Sequence, residues 1–261
     1  MSRPGLIAVD IGNSAVKVGW YPAAEEPPRL NAATEASLPQ PDWIEQYPTS
    51  QPPPDSLLTR LPGEAATWRI SSVHREGAQR LQSWVARHRP GDSLQLLTYR
   101  DLPIQLDVEF PERVGLDRLA AAVAANALRN PQHAAIVVTS GTAVTVNLIR
   151  ADGVFAGGAI LPGFQMQAAA LFGADQLPLL TPASDEAPPP LGRNTDQAIR
   201  SGLFWGTVGA VRELVNQLTA EAGSPVDVFV TGGDVRRLAT VLGEEVRFVP
   251  NMVLAGIRCA G

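Results

Sequence analysis

With 261 residues, 45% of them hydrophobic and 18% charged, the chain has the apolar content of one large domain or two ordinary ones, and too much of it for disorder. A net charge of −5 argues against a duplex nucleic-acid partner, and no apolar run reaches the ~20 residues of a membrane span. A single cysteine, Cys259, excludes an internal disulfide framework and fits a reducing, cytoplasmic setting, and Met1-Ser2-Arg3-Pro4-Gly5 does not lead into a signal-peptide pattern.

Residues 6–21 read as a β-hairpin. Leu6-Ile7-Ala8-Val9-Asp10-Ile11 is an apolar strand, Gly12-Asn13-Ser14 a turn, and Ala15-Val16-Lys17-Val18-Gly19 an alternating return strand. The proline- and alanine-rich stretch 22–55 is expected to be a decorated surface loop inside a domain, because the turn before it needs more sheet to sit on. Residues 67–73 form a strand ending in a polar turn. Residues 77–88 have helical spacing through Leu81, Trp84 and Val85, stopped by Pro90-Gly91, and 94–97 form another strand. A strong helix is expected over 117–129, with Leu119, Val123, Ala127 and Leu128 on one face and alanines filling the rest. A second hairpin, 134–149, repeats the first around Ser140-Gly141-Thr142-Ala143. After the turn Asp152-Gly153 come the glycine-rich segment Val154 to Gly163, a helix through Leu171, a proline-rich loop over 181–193 and a long helix over 194–221. A strand over 226–230 breaks at Thr231-Gly232-Gly233-Asp234. A helix, a strand over 246–249 and a short helix complete the chain. This alternation predicts α/β layers in two domains, 1–114 and 115–261, each with its own glycine turn.

The duplicated turn is the main chemical signal. Glycine lets the backbone approach an anion, and successive N–H groups with a small polar side chain make a concave phosphate site. Gly12, Asn13 and Ser14 form one candidate and Gly141 and Thr142 the other; two such loops would clamp one nucleotide. Asp10, at the end of its strand, is either a Mg²⁺ or phosphate-orienting carboxylate or a turn cap. Lys17 is either a phosphate cation or a snorkelling edge residue. Asp117, at a helix start, is either a cap or a general base for a hydroxyl nucleophile, with Arg118 gripping an anionic substrate. Gly157-Gly158 and Pro162-Gly163 are expected to frame a sharp turn, and Gly232-Gly233 to make a third glycine-rich loop on the adenosine side. His74, His88 and His133 stand apart from one another and from Cys259, which argues against a metal site built on them.

Taken in order, D-x-G-N-S, G-x-D-R, x-x-G-T-A-x-T, G-G-x-I-x-P-G, N-T-x-x-A-I-x-x-G and T-G-G resemble the type III pantothenate kinase family of the actin, hexokinase and sugar-kinase superfamily over nearly the whole chain. The resemblance implies two actin-like (ribonuclease H-like) α/β domains with a nucleotide cleft between them. It implies ATP- and Mg²⁺-dependent phosphorylation of the primary hydroxyl of pantothenate, the first step of coenzyme A biosynthesis. Asp10 would sit at the first phosphate loop and Asp117 would be the base. Gly115, Arg118 and Gly158 would line the pantothenate site, which Thr195 of a neighbouring subunit would complete in a homodimer. A monovalent cation, K⁺ or NH₄⁺, would be required.

Three positions depart from the family pattern. Thr139 stands where the second loop carries the Asp associated with the monovalent cation; Asn147 and Val108 replace a common Asp and Tyr. These departures leave Asp10, Asp117 and Arg118 intact. They put an active pantothenate kinase with altered cation need beside a non-catalytic nucleotide- or pantothenate-binding protein acting through a partner. A kinase for another small hydroxylated acid is a third reading.

Overall fold

The computed structural model describes residues 4–23, 38–174, 187–233, 241–243 and 245–260. It divides into two compact units, Met1–Leu128 with Asn251–Gly261, and Arg129–Pro250.

The first unit holds a five-stranded sheet in the order β3-β2-β1-β4-β5. β1 (Leu6–Ile11) and β2 (Ala15–Tyr21) form the expected hairpin, and β3 (Trp43–Pro48) adds to β2. β4 (Thr67–Ser72) runs parallel to β1, and β5 (Ser93–Leu96) parallel to β4. Period-2 alternation sends Ile7, Val9 and Ile11 to one face, where they bury with Val16, Val18, Trp68 and Ile70. That face is covered by α1 (Asp55–Arg60) through Leu57 and by α2 (Arg75–His88) through Ala78, Leu81 and Val85. Burial of each large apolar side chain contributes about 1.5–3 kcal/mol. Ala8 and Asp10 point to the opposite face, against which α3 (Leu116–Leu128) and α6 (Met252–Arg258) pack.

Two expectations change here. The stretch 22–55 is not all loop. Trp43–Pro48 is an edge strand of the sheet, while residues 24–37 lie outside those described. The division also falls at Leu128/Arg129, not at 114/115, and the chain's end returns to the first unit. The reason is small-residue packing. Ala120, Ala121, Ala122, Ala124 and Ala125 are fully buried, and Gly256 of α6 lies so close to α3 that a methyl there would sit 1.9 Å from the Ala120 carbonyl oxygen. Alanines read as filler are thus a helix-docking face. Arg69 Nη1 also donates to the Arg258 carbonyl at 2.7 Å, tying β4 to α6.

The second unit repeats the topology as β10-β9-β6-β7-β8. β6 (Ala134–Ser140) and β7 (Ala143–Ile149) are the hairpin, and β8 (Phe155–Pro162) extends it. β9 (Val226–Gly232) and β10 (Val246–Phe248) run parallel to β6 and β9 respectively. Ile136, Val138, Val144 and Val146 bury against α5 (Thr195–Ala222), which brings Val211, Leu214 and Leu218. α4 (Phe164–Ala174) follows β8. The same strand order in both units establishes the α/β class with two actin-like, ribonuclease H-like sheets.

Again the structure adjusts the reading. Gly157 and Gly158 lie within β8, not in a turn. A methyl on Gly158 would meet the Val146 carbonyl oxygen at 2.0 Å, so this glycine serves close strand approach. β9 does not break at Thr231: Thr231 pairs with Thr139 and Gly232 with Ser140. The helix expected after Asp234 begins outside the described residues. His74 caps α2, its Nδ1 accepting from the Gly77 amide at 3.0 Å, and His133 pairs with Asp227 at 2.9 Å.

Candidate active site

In the first unit the sequence candidates gather at one end of the sheet. Asp10 is the penultimate residue of β1, in register with Lys17 on β2 and Ser71 on β4. The turn after it is a tight hairpin closed by the Gly12 amide donating to the Ala15 carbonyl at 3.0 Å, with Asn13 and Ser14 exposed. Asp117 lies in the first turn of α3, on the sheet face to which Asp10 points.

The two carboxylates feel each other. Burial is the main cause that pushes Asp10 up to about 7; the Asp117 charge adds to it, and Lys17 opposes. A carboxylate held this high is a desolvated negative charge short of positive neighbours. That is the electrostatic state a divalent cation relieves, so the site fits Mg²⁺. Among the described residues no three His, Cys, Asp or Glu side chains form a metal-ligating cluster. Asp10, with Asp117 beside it, would therefore hold Mg²⁺ together with phosphate oxygens and water, the usual mode for this ion.

The Gly115-Leu116-Asp117-Arg118 turn explains its glycine. The amides of Arg118 and Leu119 both donate to the Gly115 carbonyl, at 3.1 and 3.2 Å, starting the helix. A methyl at Gly115 would lie 2.5 Å from Asp117 Oδ1. The bare glycine makes room for the carboxylate to fold over the turn. Arg118 is half-buried; desolvation lowers its guanidinium from the ordinary value, and the neighbouring Asp117 charge counteracts this.

In the second unit three glycine-rich segments meet at one sheet end. Gly141 and Thr142 are exposed at the β6–β7 turn, and the Gly141 amide donates to Ala143 at 3.0 Å. Gly163 lies behind them, donating to the Thr142 carbonyl at 3.0 Å. Gly232, at φ 115°, is pressed against β6, where a methyl would come 2.0 Å from the Ser140 carbonyl oxygen. Gly233 beside it is exposed. Two other candidates stand apart from this end. Gly158 pairs with Asn147, four residues along β7 from Ala143. Thr195 is the exposed first residue of α5, whose N-cap Asn194 accepts from the Gln197 amide at 2.9 Å.

Thr139 faces away from the apolar core shared with α5, alongside Thr145 and Thr231 on the flanking strands. Its Oγ1 is buried and makes no hydrogen bond among the described residues. Asn147 Nδ2 donates to Thr145 Oγ1 at 2.9 Å. Among the described residues, β6, β7 and β9 bring hydroxyl and amide oxygens to this neighbourhood.

One residue went unseen in the sequence. Thr49 follows β3 inside the proline-rich stretch, and strand pairing brings it against the first phosphate-loop candidate. Gly163, expected with Pro162 to frame a turn, lies against the second.

The family described as type III pantothenate kinase matches residues 6–217. A type III pantothenate kinase of Rhodopirellula baltica is 37% identical, covering 92% of this chain and 91% of its own. One from Thermomicrobium roseum is 32% identical over 98% and 96%, and one from Alkalilimnicola ehrlichii 34% identical over 97% and 96%. Among solved structures, the ethanolamine utilization protein EutJ from Carboxydothermus hydrogenoformans aligns with 100% of this chain and 91% of its own at 14% identity and TM-score 0.47, a weak likeness.

Proposed function

The chain belongs to the type III pantothenate kinase family, and on that premise we propose that it phosphorylates the primary hydroxyl of pantothenate with ATP, giving 4′-phosphopantothenate. The observation that carries the mechanism is the coupled carboxylate pair. Asp117 takes the proton of the acceptor hydroxyl as the oxygen attacks the γ-phosphorus and the bond from that phosphorus to the β,γ-bridging oxygen breaks, releasing ADP. Asp10 would hold Mg²⁺, which when bound would neutralise charge on the phosphates. The Asn13-Ser14 and Thr142 parts of the two turns, whose Gly12 and Gly141 amides are engaged in closing the hairpins, receive phosphate oxygens together with Lys17, and Gly232-Gly233 lies by the adenosine. A non-catalytic role is not favoured, because the acid-base and anion-gripping residues are all present.

The test is a coupled ADP-release assay: ADP appears with pantothenate and not without it. Rates unchanged by pantothenate, but raised by another small hydroxylated acid, would move the acceptor assignment.

Arg118 grips the pantothenate carboxylate, with Gly115 beside it and a partner subunit's copy of Thr195 completing the pocket. Arg118→Lys is expected to raise the pantothenate KM about tenfold, because a point charge cannot replace a planar two-donor grip, and to leave the ATP KM unchanged. Equal losses for both substrates would make Arg118 a brace of the helix instead. The homodimer has physical support in the second unit: Ile160 on edge strand β8 is 62% exposed and Leu191 72% exposed, with Met166 and Phe172 of α4 also exposed. The protein works in the cytoplasm, in keeping with its lone cysteine.

Position 139 decides the monovalent cation. Threonine removes one unit of negative charge from a place where cation and phosphate balance. The wild-type rate is expected to stay within about twofold across a K⁺ titration at constant ionic strength, and Thr139→Asp to gain K⁺ activation. Strong activation of the wild type, unchanged in the variant, would place the cation elsewhere.

A further inference from the structure

The first glycine turn is exposed, yet its shape is held from behind by one buried residue. Thr49 is 1% exposed. Its Oγ1 donates to the Gly12 carbonyl at 2.8 Å, and its amide donates to the Ser14 carbonyl at 3.1 Å. Two carbonyls of a three-residue turn are thus drawn toward the same residue. Thr49 is itself anchored: Arg80 Nη1 on α2 donates to its carbonyl, and α2 crosses so closely that a methyl at Gly77 would lie 2.9 Å from Thr49 Cγ2.

Peptide geometry turns this contact into electrostatics. In a trans peptide the C=O and the following N–H point in opposite directions. Holding the Gly12 carbonyl toward Thr49 aims the Asn13 amide the other way, while the Ser14 contact fixes the far side of the turn, where Ala15 faces Gly12 across the hairpin. A carbonyl turned outward would repel an anion; an amide turned outward attracts it. The second unit repeats the device with another residue. Gly163, buried just past the third strand of its hairpin sheet as Thr49 is, donates to the Thr142 carbonyl at 3.0 Å. A methyl there would come 2.3 Å from the Gly141 carbonyl oxygen and 2.5 Å from that of Thr142. Two unlike residues at matching places in two repeated sheets both donate an amide to the last carbonyl of an exposed glycine turn, and Thr49 adds a hydroxyl bond to the first.

We propose that Thr49 is a positioning residue for ATP, fixing the peptide orientations of the first phosphate loop without touching the nucleotide; this rests on the reading of residues 12–14 as that loop. Thr49→Val keeps shape and volume but removes the hydroxyl donor, whereas Thr49→Ser keeps the donor. Thr49→Val is expected to raise the ATP KM, and the ATP Kd by calorimetry, about tenfold with the pantothenate KM within about twofold. Thr49→Ser restores ATP affinity. Arg80→Gln, on a half-buried side chain outside the core, loosens the anchor and gives a smaller loss of the same kind, so the inference stands testable even if Thr49→Val does not fold. Asn13→Asp separates the premise from the inference by placing a negative charge in the loop. If Asn13→Asp loses ATP binding while Thr49→Val and Arg80→Gln bind as wild type, the positioning role is wrong and the phosphate loop stands. If Asn13→Asp binds ATP normally, the loop assignment fails and the inference with it. A loss in Thr49→Val spread equally over both substrates, unrescued by serine, would also overturn it.

Discussion

Asp117→Asn is expected to reduce turnover by ~10²–10⁴-fold while ATP binding stays near wild type. Asparagine keeps the size and the position over Gly115 but cannot accept the acceptor's proton. ATP binding survives because the proposed phosphate ligands are backbone amides of the glycine turns, which the substitution leaves alone. A second readout comes from the carboxylate pair. The Asp117 charge is one cause of the raised Asp10 value, so removing it should lower the Asp10 titration midpoint from about 7. Carboxyl-carbon NMR titration of the metal-free protein measures this directly. A variant keeping more than about a tenth of wild-type turnover would put the base elsewhere. An unmoved Asp10 midpoint would mean that the two carboxylates are not coupled.

Asp10→Asn is expected to do two opposite things: lower activity at least ~100-fold, because the carboxylate proposed to hold the metal is gone, and raise stability at alkaline pH. The stability effect follows from the sign of the shift. The folded value, about 7, lies above the ordinary 3.8. Between these values the folded protein holds a proton that the unfolded chain has released, so wild-type stability falls as pH rises through this window. Above pH 7 the full cost applies, at most ~4 kcal/mol and less for the exposure that Asp10 keeps. Asparagine carries no such cost. Thermal unfolding without divalent metal should therefore show the variant gaining on wild type from about pH 4 to 7, with a constant lead above. Mg²⁺ should then narrow that lead by stabilising wild type alone. Parallel Tm–pH curves would show that Asp10 is ionised without penalty and that the site has no unmet demand for a cation.

Periodicity and punctuation in the chain determined a good deal. Both hairpins were legible because a β-branched run, a glycine turn and an alternating return strand leave few other readings. The G-x-D-R turn and the second glycine turn were legible for a related reason: chemistry at a helix start or a tight turn needs particular residue types at fixed spacing. The strand at Trp43–Pro48 was not legible, because six residues among prolines carry no clear alternation; pairing with β2 makes them a strand. The alanine face of α3 was equally silent, since alanine satisfies both a helix filler and a close helix contact, and only Gly256 in the returning α6 distinguishes them.

What the sequence by itself determined, then, is the local chemistry: which residues turn, which are candidates to bind an anion, and which carboxylates stand near them in the chain. The tertiary structure decided their environment. It put Asp10 and Asp117 within each other's field though more than a hundred positions separate them, and it made Thr49 the backing of a turn thirty-seven positions away. Spacing encodes short-range backbone geometry. Desolvation, long-range Coulomb interaction and strand register depend on which distant segments pack together, and no local pattern in the chain records that.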